Sequence, residues 1–413
     1  MKDLNSLLNQ LSKHREDIIK LASDLIKIPS VNPPGDMTEI ANYLKDFFNT
    51  HGINVKWLEK VKGKVNLISE YGSGENILVL NGHMDVVPPG DESKWEFPPF
   101  SGDIINGYLC GRGASDMKGP LAALIYAYLV YVQNSPETNG KLILTIVPDE
   151  ETGGYYGSKY LVSELGLKSR YTLIAEPSTI YAINIGEKGI LWFKVNISGK
   201  PAHASISPFI GENAILTAQK IINDIYKLVE LDFKPPDDIS EIVDKSGELY
   251  AALMNTESVK RIFRRLSCNI GLINGGVKTN IVAPNCSLEF DMRIPPGTST
   301  SNVIEMIKNV LARYGSEVKF TVSISEEPNY TSPESQIVSK LASMIESETG
   351  IKPILTLIPG ATDGRFFRKV GSETVIYGPA EWQGIHGYNE KVKVDELVIA
   401  AKIYLRLIYD IMS

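Results

Sequence analysis

The chain has 413 residues, 43% hydrophobic and 22% charged, with a formal net charge of −7. That length exceeds what one hydrophobic core usually serves, so two domains are expected. The acidic balance, with no basic stripe interleaved with aromatics, argues against nucleic acid as a partner, and no apolar run approaches the ~18 residues of a membrane helix.

The apolar positions from Leu7 to Ile28 recur at helical spacing and stop at the turn-rich Pro29–Gly35. A second helix is expected from about Met37 to His51, followed by a strand near Val55. Asn66 to Glu70 and Ile77 to Leu80 are short apolar runs of buried-strand character. Pro120 suits the first turn of a helix whose body is Leu121 to Val132. Strands at 142–147 and 172–175 follow, and this alternation of strand and helix is the signature of an α/β domain.

After Gly186 the pattern changes. Leu191, Phe193, Val195 and Ile197 alternate with polar neighbours, which marks a strand with one wet face. A helix (Asn213 to Leu228), a strand (Leu266 to Ile273) and another alternating strand (Cys286, Leu288, Phe290, Met292) come next. A helix (Asn302 to Tyr314) and a strand (Val318, Phe320, Val322, Ile324) close the series. The order β-α-β-β-α-β is that of a ferredoxin-like unit. An insertion, roughly Asp232 to Arg265, separates its first helix from its second strand, and its Pro235-Pro236-Asp237-Asp238 start reads as loop. Beyond Glu327-Pro328 the α/β style returns, with a helix (Ser335 to Glu348), strands (Ile354 to Ile358, Thr374 to Tyr377) and a final helix (Asp395 to Ile411). The expected division is 1–185 and 327–413 for one α/β domain, with 186–326 inserted.

Three cysteines, Cys110, Cys268 and Cys286, without CxxC spacing, argue against a disulfide framework or a thiolate metal site. Reduced thiols and a polar N-terminus without a signal-like apolar run make a cytoplasmic protein the expectation.

The chemistry gathers where buried strands run out. His83 follows Ile77–Leu80, Glu150 and Glu151 follow Leu142–Val147, and Glu176 follows Leu173–Ala175. In an open α/β sheet the carboxyl ends of the strands form the ligand crevice, and imidazoles with carboxylates there suit zinc, cobalt or manganese. Asp85, two residues past His83, is placed to accept the second ring N–H of that histidine, although a satisfied strand-end histidine beside a turn aspartate fits as well. Asp116 lies in the glycine-rich Gly111–Pro120 stretch, and locally it reads equally as a carboxylate favoured at a helix N-terminus. Asp149-Glu150-Glu151 is more specific, since three consecutive acids at a sheet crevice repel one another unless a cation offsets them. Adjacent glutamates suit different tasks, one ligating and the other moving a proton. His386 follows the strand 374–377 through a loop able to reach the same crevice.

These motifs together resemble the M20 metallopeptidase family, which includes acetylornithine deacetylases, succinyl-diaminopimelate desuccinylases, aminoacylases and carboxypeptidases. The resemblance spans nearly the whole chain. It is carried by Gly82-His83-Met84-Asp85-Val86-Val87-Pro88, Gly111-Arg112-Gly113-Ala114-Ser115-Asp116-Met117-Lys118-Gly119, Asp149-Glu150-Glu151, Ala175-Glu176-Pro177 and His386. It implies a mixed-sheet α/β catalytic domain with an inserted ferredoxin-like lid that makes a homodimer. It further implies two divalent ions, zinc first and cobalt or manganese next. Asp116 would bridge them, with His83 and Glu176 completing one site and Glu151 and His386 the other. Glu150 would be the general base and Asp85 the partner of His83. His203 would reach the active site of a neighbouring subunit and stabilise the oxyanion, Arg293 would bind a substrate carboxylate, and Asn280 would donate a hydrogen bond. Gly360 and Thr362, in Gly360-Ala361-Thr362-Asp363-Gly364, resemble the substrate loop of the desuccinylases, except that Ala361 stands where those enzymes commonly carry a hydroxyl.

The expected activity is removal of the acyl group from an N-acyl amino acid, as in N-succinyl-diaminopimelate desuccinylase or acetylornithine deacetylase. A carboxypeptidase, dipeptidase or aminoacylase of the same family is the second reading. A non-catalytic metal- or amino-acid-binding module on the same fold is the third, and the presence of Glu150 beside Glu151 speaks against it.

Overall fold

The computed structural model describes residues 3–134 and 138–413. The first apolar stretch is two helices, α1 (Leu4–Lys13) and α2 (Arg15–Lys27), where the sequence predicts one. His14 leaves helical geometry (φ −91°, ψ 17°), and its N–H closes on Leu11 O. The buried positions Leu11 and Ile18 fall on either side of this break at a helix-compatible spacing, so periodicity alone conceals it. Then come α3 (Thr38–Thr50), β1 (Lys56–Glu59), β2 (Val65–Gly72), β3 (Ile77–His83), β4 (Ile104–Ile105), β5 (Tyr108–Cys110), α4 (Lys118–Asn134), β6 (Lys141–Val147), β7 (Tyr171–Ile174) and β8 (Ala182–Glu187). The later elements are β9 (Gly189–Ser198), α5 (Ala214–Val229), α6 (Ser240–Leu253), β10 (Ser267–Gly275), β11 (Asn285–Ile294), α7 (Thr300–Leu311), β12 (Val318–Glu326) and β13 (Asn329–Tyr330). The chain ends with α8 (Gln336–Thr349), β14 (Ile354–Ile358), α9 (Gly364–Lys369), β15 (Glu373–Ile376), β16 (Lys391–Lys393) and α10 (Val394–Met412).

The chain divides into two compact units. One comprises Met1–Ile185, Tyr330–Thr356 and Thr362–Ser413; the other comprises Gly186–Asn329 and Leu357–Ala361. Among the described residues the first is built on a mixed sheet of nine strands in the order β1-β2-β6-β3-β7-β15-β8-β13, with β14 beside β8. The run β6-β3-β7-β15 is parallel, so the ends of these four strands share one edge. Their residues are buried almost throughout, as expected for strands covered on both faces. α4 is buried from Lys118 to Tyr131 and packs on α2 and α10, which explains why it is apolar all round. No helix among the described residues is long and apolar enough to cross a membrane.

The second unit is the four-stranded antiparallel sheet β10-β11-β9-β12 with α5 and α7, the ferredoxin-like arrangement. Its core is the inward set of each alternating strand. Leu191, Phe193, Val195 and Ile197 meet Cys286, Leu288, Phe290 and Met292, and Ile221 of α5 and Ile307 of α7 close over them. Phe193 stacks on Phe290 at 4.6 Å between centroids. Each such side chain contributes about 1.5–3 kcal/mol through burial.

The insertion is loop only at its start; α6 occupies its middle. It anchors through the buried Lys188, whose Nζ donates to Ile262 O (2.8 Å), Arg265 O (2.9 Å) and Ser267 Oγ (2.6 Å). Ser246 Oγ on α6 accepts the Leu357 N–H (2.9 Å), and Lys188 N–H donates to Ile358 O (3.1 Å). These bonds explain why Leu357–Ala361 is part of this unit, an assignment that no local sequence signal suggests. The cysteines carry no disulfide, and Cys110 and Cys286 are buried.

Candidate metal centre

His83 is the last residue of β3 and pairs in register with Val147, the last of β6. Its burial and the parallel ladder fix the ring at the crevice. Nδ1 lies 2.9 Å from the backbone O of Asp85 and 3.3 Å from Asp85 Oδ1, which orients the ring and leaves Nε2 to face Asp116 Oδ1 (3.1 Å) and Glu176 Oε1 (3.2 Å). His386, on the loop after β15, faces Asp116 Oδ2 (3.3 Å) and Glu151 Oε2 (3.1 Å) through its Nε2. The two oxygens of Asp116 are thus turned toward two different histidines.

The Asp85 carboxylate reaches further than an orienting partner for His83. Oδ1 accepts the Glu150 N–H (3.2 Å), while Oδ2 accepts the Glu151 N–H (3.3 Å) and Asn32 Nδ2 (2.8 Å). Asn32 also donates to Thr152 Oγ1 (2.9 Å). Sequence reasoning treats the Pro29–Gly35 stretch only as a turn, yet its Asn32 holds the acidic turn in place. Asp363, just before Gly364, is buried and accepts from Asn81 Nδ2 (3.2 Å), and Arg365 donates to Gly153 O (2.9 Å), which ties the start of α9 to the acidic turn.

Burial raises the Glu151 and Glu176 carboxyls to about 7, with the charge of Asp116 adding to it. Burial and then Glu176 push Glu150 well above the usual range. Burial opposes the cationic form of His83, but Glu176, Asp116 and Asp85 outweigh it and raise the ring well above its ordinary value. His386 rises to about 11 through its hydrogen bonds to Asp116 and Glu151. Asp116, desolvated but bonded to His386 and His83, is held low.

The residues fit a divalent cation. Oε1 of Glu151 is buried without a hydrogen-bond partner, and Oε1 of Glu176 has only the His83 Nε2 contact at 3.2 Å among the described residues. Buried carboxylate lone pairs left so poorly served cost free energy unless a cation takes them. The four imidazole–carboxylate separations, 3.1–3.3 Å, bring nitrogen and oxygen donors close enough together to share an ion. Two overlapping donor groups, His83-Glu150-Glu176 and His83-Asp116-Glu151, each lie within 4.8 Å. His386 joins the same cluster through its contacts with Asp116 and Glu151.

His203, Asn280, Arg293 and Gly360 lie in the second unit, whereas Thr362 lies in the first. His203 and Asn280 are neighbours: His203 bridges to Ile281, and the Ala204 N–H donates to Asn280 O (3.1 Å). His203 Nδ1 accepts the Ser205 N–H (3.2 Å), so the neutral ring carries its hydrogen on Nε2. Arg293 donates from Nε and Nη2 to Asp291 (2.8 and 2.9 Å), and Nη1 faces no acceptor among the described residues. The Thr362 hydroxyl accepts the Gly364 N–H (3.1 Å) at the start of α9.

The family model of peptidase family M20/M25/M40 matches residues 79–410, and the chain belongs to that family. Solved structures share its fold. An M20 family metallo-carboxypeptidase, Sso-CP2 of Sulfolobus solfataricus, is 23% identical, with 94% of this chain and 98% of that one covered and a TM-score of 0.78. The dipeptidase Dug1p of Saccharomyces cerevisiae is 16% identical, with 99% of each chain covered and a TM-score of 0.75. The YXEP protein of Bacillus subtilis, described as a dinuclear metal binding peptidase of the M20 family, is 13% identical, covering 96% and 98%, with a TM-score of 0.67. The protein is accordingly a hydrolase of amide bonds.

Proposed function

We propose that the chain is a dinuclear metal hydrolase that cleaves the amide bond on the amino side of a residue bearing a free carboxylate. The observation that carries this is Asp116, whose two carboxylate oxygens face His83 and His386 separately. His83, Glu176 and Asp116 would hold one ion, and His386, Glu151 and Asp116 the other. Zinc is the first choice, and cobalt or manganese suits the same nitrogen and oxygen donors. Ions bound there supply Lewis acidity to the substrate carbonyl and acidify water. Glu150 takes the proton of the attacking water and delivers it to the leaving amine. His203, with its hydrogen on Nε2, donates to the carbonyl oxygen as negative charge develops. Arg293, steadied by Asp291, offers Nη1 to the substrate carboxylate.

Two substrate types satisfy this description: N-acyl amino acids, as for a desuccinylase or deacetylase, and short peptides cut as by a carboxypeptidase or dipeptidase. The peptide reading draws support from Ala361, which lacks the hydroxyl of the desuccinylase loops, and from similarity to proteins named carboxypeptidase and dipeptidase. A screen of N-succinyl and N-acetyl amino acids against dipeptides and C-terminally free peptides, with zinc or cobalt added, is expected to show the highest kcat/KM on peptides. Highest turnover on a succinylated or acetylated amino acid would reinstate the deacylase, and a blocked C-terminus cleaved equally well would remove the carboxylate requirement.

We also propose a homodimer through the second unit, with His203 serving the partner's site. The exposed Leu272 and Ile273 lie on the edge strand β10, with Val277 just beyond it and Ile215 and Leu216 on α5 beside it, an apolar margin suited to a second copy. Mixing Glu150→Ala with His203→Ala chains is expected to yield activity that neither possesses. Absence of recovery, with mixed dimers verified by mass, would remove the shared site.

A further inference from the structure

We infer that Arg112 and Glu390 are positioning residues that lock the bridging carboxylate Asp116 and the His386 loop into one frame; this rests on the dinuclear reading above. Neither side chain faces the metal donors directly. Both are buried, Arg112 to 2% exposure and Glu390 to 0%. Glu390 Oε1 accepts two consecutive backbone N–H groups, Ser115 (3.0 Å) and Asp116 (2.9 Å), and Oε2 accepts Arg112 Nη1 (2.6 Å). The other arm of the guanidinium, Nη2, donates to Gly387 O (2.7 Å), the residue after His386. The backbone closes the loop again, with the Gly111 N–H on Glu390 O (2.9 Å), and Trp95 covers Arg112 at 5.2 Å.

The arrangement meets a specific need. His386 has φ +55°, a backbone region that costs a non-glycine residue energy, and its side chain is 54% exposed. Core packing therefore does not set its position, and neighbours must. Close approach reinforces the frame, since a Cβ on Gly384 would stand 2.6 Å from Glu390 Cα. A buried ion pair is weak as a source of stability, because well-packed apolar residues often serve as well. What it supplies here is geometry: one planar fork holds a carboxylate with one arm and a carbonyl with the other, which an ammonium cannot reproduce.

The test is metal binding by the purified apoprotein, read by cobalt titration calorimetry and by the visible absorption of bound cobalt, with folding checked by circular dichroism. Arg112→Lys keeps a cation beside Glu390 but loses the fork. It is expected to leave the first ion in place and to weaken the second, at His386 and Glu151, about 10–100-fold, with an altered cobalt spectrum. Glu390→Gln has the same shape but must turn its amide against either Arg112 or the two N–H groups, and is expected to weaken both ions. Folded variants that bind two cobalt ions with wild-type affinity and spectrum would overturn the proposal. So would failure of both variants to fold, which would make the pair a folding requirement. A wild-type protein that binds fewer than two ions would instead refute the dinuclear reading.

Discussion

Glu150→Ala is expected to lower kcat by about 10²–10⁴-fold while leaving the metal content unchanged. The Glu150 backbone is held by Asp85 Oδ1, whereas its carboxylate makes no hydrogen bond among the described residues, unlike those of Asp116 and Glu151. Burial and the charge of Glu176 raise its pKa, which suits a group that must both accept and return a proton. Its carboxylate nevertheless lies within 4.8 Å of His83 and Glu176, so metal analysis of the purified variant is the deciding measurement. Loss of an ion together with turnover would make Glu150 a ligand and would leave the general base unassigned.

Asp116→Ala is expected to abolish binding of both ions, whereas Glu176→Ala should weaken one. The contrast follows from position: Asp116 presents one oxygen to each histidine, whereas of the two histidines Glu176 faces His83. The metal-free Asp116→Ala protein should also be less stable, because the buried His83 loses one of its carboxylate partners and keeps only Glu176 and Asp85. Equilibrium dialysis against zinc checks the first outcome and denaturant unfolding the second. An Asp116→Ala protein that still takes up two ions would dismiss the bridge.

What sequence could reveal depended on how local the cause was. Periodicity located α3, α4, α5 and α10 and the strands that carry His83, Glu150 and Glu176, because each element answers to its own burial pattern. The break at His14 escaped because the apolar spacing suits helix on both sides of it. α9 escaped because its Gly364–Lys369 segment is short, and β4, β5 and β16 because two- and three-residue strands carry no period. Within the site, strand-end position marked the crevice but could not rank Asp116, whose significance lies in facing two histidines far apart in sequence. Arg112 stood inside a quoted motif and Glu390 four residues after His386, yet nothing local joins them, since their contact spans 278 residues. Asn32 was hidden for the same reason: its bond to Asp85 is made by tertiary structure.

The raised imidazoles and carboxyls have a thermodynamic consequence. In the dinuclear centre proposed above, protons and divalent ions would compete for the same lone pairs of His83, His386, Glu151 and Glu176. Uptake of an ion must therefore expel protons, so affinity falls as the solution is acidified and rises toward neutrality and above. On that reading acid and a chelator would be two routes to one state: the donor cage kept in shape by hydrogen bonds, with protons as the placeholders.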